Sequence, residues 1–295
     1  MKLFFNRIFI FSLTTSAVLF FLVGLVYILT YNYQFDTINK KNIFLGDSNS
    51  MNAINDSLVT NSKNLSGSAD SYFYSYLKLR KIINSENKIQ RVFLSFSPHN
   101  IIDNSWLFNE TDLVSRFPIY MSMLDKSDFN FLFDKKENLF KSSIYSTIKN
   151  SISIYYSILT DKIDKSYGGY EPTYSNNLKK AIISLNENES VPNFRIPQKF
   201  IIYEEEILYL NKIINLCKTN NIELNLIITP KRKELLSFKK YFYKEFLLYY
   251  EANFSNINLY NFSDFTMPDD SYDDLVHLNY KGSVLFSKHL NDIIN

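Results

Sequence analysis

From Ile8 to Tyr31 the chain is predominantly apolar, and no charged residue lies between Arg7 and Asp36. A helix needs about 20 apolar residues to cross the hydrocarbon core of a bilayer, so this run predicts a membrane-spanning helix. Lys2 and Arg7 ahead of it predict that the N-terminus stays inside and the rest of the chain lies on the extracytoplasmic side. The competing reading is a cleaved signal peptide. Its apolar stretch would run about 7–15 residues and end at a site with small residues in an A-x-A pattern, which Val26-Tyr27-Ile28 does not offer. Residues 1–31 are therefore read as a cytoplasmic tip and transmembrane anchor, and 32–40 as a linker. At most about 3.3–3.6 Å per residue of extended chain, that linker holds the domain beginning at residue 41 near the membrane surface.

Past the anchor, short apolar runs alternate with helical periodicity. Asn42 to Leu45, Ser62 to Leu65, Arg91 to Phe96, Ile222 to Thr229 and Asn256 to Tyr260 read as strands. Helical patterns fall over Ser71 to Ile83, Tyr203 to Cys217, Lys233 to Tyr250 and Lys281 to Ile294. Strands alternating with helices imply right-handed crossovers and a parallel sheet covered on both faces. Residues from about 101 to 200 break the rhythm. They are rich in aromatic side chains, have helical spacing near 137–162 and pass through a turn-rich stretch, Ser166 to Tyr174. They read as a helical insertion after the third strand, a cap beside the active site, within one domain spanning 41–295.

Composition narrows the function classes. Hydrophobic residues make up 46% and charged residues 21% of the 295 positions, a globular mix. The net charge of +2 is interspersed along the chain, which gives no footprint for nucleic acid. With 6 glycines the chain lacks a Gly-rich phosphate cradle. Cys217 is the only cysteine and His99, His277 and His289 are the only histidines. These numbers leave no intrachain disulfide and no multi-histidine metal centre, and no cofactor is expected.

The candidate chemistry sits where strands end. In open α/β sheets ligands bind outside the carboxyl ends of the strands. Gly46-Asp47-Ser48 follows the first strand and opens a helix. The same three residues suit a plain N-cap turn. Near the C-terminus stand Asp273-Asp274-Leu275-Val276-His277-Leu278-Asn279 and then Gly282. Asp274 and His277, three residues apart, face the same way on one helical turn or in a tight loop. The carboxylate then orients the imidazole, whose other nitrogen takes a serine proton. A capped turn with a solvated histidine also fits that spacing.

Taken together, Gly-Asp-Ser after the first strand and Asp-x-x-His before the last helix resemble the two end motifs of the SGNH (GDSL-like) hydrolase superfamily. The resemblance covers about residues 41–101 and 200–295. It implies a three-layer α/β/α fold with a five-stranded parallel sheet in flavodoxin-like order. It also implies Ser48 as nucleophile, His277 as general base and Asp274 as its orienting acid. Oxyanion donors in the family are the nucleophile N–H, a glycine after the second strand, matched by Gly67, and an asparagine after the third. There the family's Gly-x-Asn-Asp is replaced by Ser97-Pro98-His99-Asn100. Strict alignment puts His99 at the asparagine's place, while a shift of one residue makes Asn100 the donor. The Ser-Pro, the single anchor and the late Asp-x-x-His also resemble the DltD family of D-alanyl-lipoteichoic acid biosynthesis proteins.

These readings lead to an extracytoplasmic serine esterase or O-acyltransferase acting on an acylated cell-surface glycan or glycolipid. Its partners would be the bilayer and a membrane-bound O-acyltransferase. The rival from another class is a catalytically silent glycan-binding or assembly subunit. Of the remaining residues, Lys231, Arg232 and Lys233 form either an anion site or a solvated helix start. Trp106, Tyr167 and Tyr170 either stack on sugars or pack in the insertion. His289 and Cys217 read as structural.

Overall fold

The computed structural model describes residues 1–85, 88–102, 110–134, 137–160, 162–186, 200–238 and 240–295. In chain order these hold α1 (Lys2–Asn32), β1 (Asn42–Leu45), α2 (Ser48–Ala53), β2 (Ser62–Asn64) and α3 (Tyr72–Asn84). There follow β3 (Arg91–Ser95), α4 (Pro98–Ile101), α5 (Glu110–Tyr120), α6 (Lys126–Phe133) and α7 (Glu137–Leu159). Next come α8 (Asp164–Tyr167), α9 (Leu178–Asn186), α10 (Glu204–Thr219), β4 (Glu223–Ile228) and α11 (Lys233–Phe238). The chain ends with α12 (Lys240–Phe254), β5 (Asn258–Asn261) and α13 (Tyr280–Ile294). Contacts divide the chain into two compact units, Met1–Phe35 with Phe108–Ser166, and Asp36–Leu107 with Tyr167–Asn295.

The second unit holds a five-stranded parallel sheet in the order β2-β1-β3-β4-β5. Its inner strands are short and apolar, and β1 is buried at every position, as expected of parallel strands covered on both faces. Phe44, Phe93 and Ile227 contribute to one core with Phe286, Leu290 and Ile294 of α13. Phe44 and Phe93 stack at 4.9 Å across β1 and β3. Elsewhere α3 packs on α10 through Phe73 and Tyr209, ring centroids 4.9 Å apart. Each predicted strand is present. The last begins at Asn258 rather than Asn256, because a turn leaving α12, with Ile257 N–H on Phe254 O, takes up the residues between. The helix expected over Lys233 to Tyr250 is described as α11 and α12 on either side of residue 239.

The strand order reverses direction around β1 and β3, which makes the crevice at their carboxyl ends the place where ligands bind in such sheets. Gly46 closes β1 at φ +136°, and a Cβ there would lie 2.2 Å from Ser95 Cβ on β3. Only glycine allows the two strand ends to come this close.

The first unit is helical. α1 has 31 residues, with an 18-residue stretch of mean hydropathy 2.3, and is long and apolar enough to cross a membrane. α5 and α7 pack on each other and on α1, and Phe117, Phe129, Phe133 and Phe140 form a ring cluster with α6. The insertion expected as a single cap over 101–200 is thus divided. Its helices α5 to α7 belong with α1, while the turn-rich strap from Tyr167 belongs with the sheet.

Candidate active site

Ser48 is the first residue of α2, directly after the Gly46-Asp47 turn that leaves β1. Asp47 caps the helix by accepting from Asn49 N–H at 3.0 Å. The side chain of His277 reaches Ser48 from the loop before α13, with Nε2 2.9 Å from Oγ. On the opposite ring edge, Nδ1 lies 2.9 Å from Asp274 Oδ2. The other Asp274 oxygen accepts from Val276 N–H and His277 N–H, both at 2.8 Å. Asp274 is therefore fixed by donors of its own loop. Burial pushes its carboxyl up, but the His277 ring and the two backbone donors outweigh this and hold it below its ordinary value. An ionised Asp274 selects the tautomer with hydrogen on Nδ1, leaving Nε2 as acceptor for the serine O–H. The pair sits in a tight loop rather than on a helix. Asp273 N–H donates to His277 O, and Asn279 N–H to Ser271 O. Gly282 lets α13 press on that loop, since a Cβ there would lie 2.1 Å from Ser271 O.

Around Ser48 a second set of polar groups converges on Asp47. This carboxylate, 2% exposed, accepts from Asn49 N–H and Nδ2, Ser95 Oγ and Asn100 Nδ2, and pairs with His99 Nε2. Burial pushes its carboxyl up, yet the His99 ring, Lys231 and Asn100 outweigh burial and hold it well below the usual carboxylate range. Lys231 joins the network through Asn49 Oδ1 at 2.5 Å and also donates to Val276 O at 3.3 Å. It thus bridges the residue after the serine and the residue before the histidine.

This arrangement bears on each remaining expectation. Asn100 accepts at Oδ1 from Ser97 N–H at 2.8 Å and donates one Nδ2 hydrogen to Asp47. His99 is turned onto Asp47 and Asn49. Gly67 N–H donates to Gly46 O at 2.9 Å, extending the sheet ladder past the strands. Ser48 N–H makes no hydrogen bond among the described residues. Lys231 and Arg232 are not a solvated helix start: both are buried, and Arg232 pairs with Glu234 and Asp269. Lys233 is exposed. Tyr167 is buried and Tyr170 bonds Ser283 Oγ at 2.6 Å, so both pack. Trp106 lies outside the described residues. His289 stacks on Phe265, and the buried Cys217 thiol is pushed up to about 12 by desolvation.

Sequence reading singled out Lys231 at this end of the sheet but missed Asn49, to which it is tied, and also the aromatic pair Tyr174 and Tyr280. These two rings stack on each other at 5.5 Å and remain exposed. Tyr280 N–H donates to Thr173 O, and Asn52 of α2 holds the same strap through Glu171 O and Thr173 Oγ1. The strap therefore runs between the helix that carries Ser48 and the loop that carries His277.

A sequence model of an uncharacterised family matches residues 173–295. That stretch includes Lys231, Asp274, His277, Tyr174 and Tyr280 but not Ser48. No curated protein matches the chain.

Proposed function

We propose that this chain is an extracytoplasmic serine esterase or O-acyltransferase of the SGNH type, anchored by α1 and acting on an acylated cell-surface glycan or glycolipid. The observation that carries the reading is the continuous relay Ser48 Oγ to His277 Nε2 and His277 Nδ1 to Asp274, with both contacts at 2.9 Å. Hydrogen-bond reach between nucleophile and base is the geometric requirement for such a relay. The strand order and the burial of the inner strands support a three-layer, flavodoxin-like arrangement.

In this mechanism Ser48 Oγ attacks the ester carbonyl while its proton passes to His277 Nε2. The alkoxide leaves with that proton, and an acyl-Ser48 ester remains. Water or a sugar hydroxyl then gives its proton to His277 and takes the acyl group, and His277 returns that proton to the departing Ser48 Oγ, which is hydrolysis in one case and transfer in the other. Ser48 N–H is the available oxyanion donor. The exposed Tyr174 and Tyr280 rings offer a face for a sugar. A membrane-bound O-acyltransferase is the kind of partner that would supply the acyl group at the bilayer.

Labelling by a fluorophosphonate probe tests the reading. The probe should attach to Ser48 in the wild-type chain and not in Ser48→Ala. A second reading, a silent glycan-binding or assembly subunit, draws on the engagement of Gly67 N–H and the Asn100 amide elsewhere. It is the correct one if folded wild-type protein takes no label and still binds glycan.

A further inference from the structure

α1 is exposed on every side as far as Val18, and from Leu19 onward one side is covered, with Leu22 half-buried and Val26 and Thr30 turned inward. The cover comes from α5, α7 and the turn Met121–Met123. Tyr155 of α7 donates its hydroxyl proton to Leu22 O at 3.1 Å. Beyond the helix end, Tyr33 Oη donates to Asp164 Oδ1 at 2.6 Å. The C-terminal turns of α7 are thereby held beside the second half of the apolar helix.

The position of Arg7 decides what this means. A charged side chain in the hydrocarbon core is costly, so the core begins after Arg7 if α1 spans a bilayer. The bare stretch Ile8 to Val18 then covers roughly 16 Å at 1.5 Å per residue, about half of a core roughly 30 Å thick. The other half must be crossed by the stretch that carries α7. There the uncovered side of α1 is still apolar, with Phe20, Phe21, Tyr27 and Ile28 exposed. The outward stripe of α7 changes character over the same region. Lys141 and Lys149 flank the exposed Tyr145 on its earlier turns, and Ile152, Tyr156 and Leu159, exposed by 74%, 62% and 83%, follow with no charge among them on its last ones. Lys162 stands 5.8 Å from the Tyr156 ring. An aromatic ring at headgroup level, with a long cationic side chain reaching for water, is a membrane-interface arrangement.

We propose that the last turns of α7 are themselves seated in lipid. Ile152, Tyr156 and Leu159 join the bare side of α1 in one apolar surface, occupied by the acyl chains and headgroup boundary of the leaflet nearer the C-terminal end of α1. The helical unit is then an embedded collar around its own anchor rather than a soluble body on a tether. The inference rests on the reading of α1 as a membrane span.

The experiment uses the full chain in liposomes of phosphatidylcholine and phosphatidylglycerol, with Cys217→Ala as background. An environment-sensitive fluorophore is attached to single cysteines from Ile152→Cys, Tyr156→Cys and Leu159→Cys. Phe11→Cys reports the span itself and Lys141→Cys the aqueous face. The α7 tip sites should emit at shorter wavelength than the Lys141 site. They should be quenched by lipids carrying a nitroxide near the headgroup, and shielded from iodide. If the Phe11 site is lipid-quenched while the three tip sites respond to iodide like the Lys141 site, the span stands and the collar is overturned. Tip sites shielded from both quenchers would mean that protein, a partner or a second copy, covers the patch, which also overturns lipid as the occupant. An unquenched Phe11 site removes the span and the proposal with it.

Discussion

Two aspartate–histidine pairs flank Ser48, and they differ in what they leave open. In the pair Asp274–His277 the carboxylate takes Nδ1, so that Nε2 faces the serine, and both side chains are about one-fifth exposed. In the pair Asp47–His99 the carboxylate takes Nε2 and is itself sealed in the interior, with Asn49, Ser95 and Asn100 filling its remaining acceptor positions. The same two residue types make a relay in one place and a clamp in the other. The difference lies in which ring nitrogen the carboxylate takes and in how many other donors compete for that carboxylate. With Nε2 on the buried Asp47 carboxylate, His99 braces the turn that presents Ser48.

This contrast is open to direct attack, and the largest effects belong to the relay. Ser48→Ala should abolish probe labelling. His277→Ala should bring turnover of a small soluble ester to the same floor, with the double variant no lower, because triad members act as a unit. Losses that multiply in the double variant would show the two side chains working independently. Asp274→Asn should cost about 10⁴-fold in turnover by favouring the wrong tautomer, with little change in thermal stability. If it costs no more than a clamp substitution, the two pairs are not functionally distinct.

Clamp substitutions should act through position. Lys231→Met removes the cation from Asn49 and the tie to Val276. Displacing Ser48 from His277 in this way should slow labelling by up to about 10²-fold, the cost of a misplacement near 1 Å. His99→Gln, which retains a donor for Asp47, should slow it less. A His99→Gln variant as inactive as His277→Ala would make His99 part of the chemistry.

The smallest effect separates the pairs by acid titration. Asp47 and Asp274 are both held below the ordinary carboxylate value, so on acidification the unfolded chain takes up protons first. The stability they contribute is present above about pH 4, the ordinary aspartate range, and is lost as pH falls through the lower folded-state values. Asp47→Asn should remove more of that acid-side slope than Asp274→Asn, because the His99 ring, Lys231 and Asn100 outweigh its burial and hold Asp47 the further below its ordinary value. Denaturant unfolding between about pH 3 and pH 6 reads the slopes. Equal slopes would place the two carboxylates in equivalent environments.

How far each feature could be read in advance followed the range of the interactions behind it. The strands at Asn42 and Arg91 and the helix at Tyr280 were legible because apolar runs and turn residues are local signals. Gly46 was legible as a turn, although the reason only glycine fits, the approach of Ser95, comes from another strand. Asp274 and His277 were legible as a pair because their spacing places them in one short loop.

Hydropathy and period over a few residues were enough to locate the membrane-length helix and the alternating α/β order, while Ser48, Asp274 and His277 were singled out by the resemblance of two short motifs to the SGNH end motifs. Their surroundings came from long-range packing. Lys231 meets Asn49 across 182 positions and Asn100 meets Asp47 across 53, and no local pattern encodes such partners. The same packing made Gly67 N–H continue the sheet ladder, turned Asn100 into a brace for Asp47, and shared the insertion between two units. A buried donor must be paired wherever the fold brings it. The partner it finds is settled by packing of the whole chain, not by its neighbours in sequence.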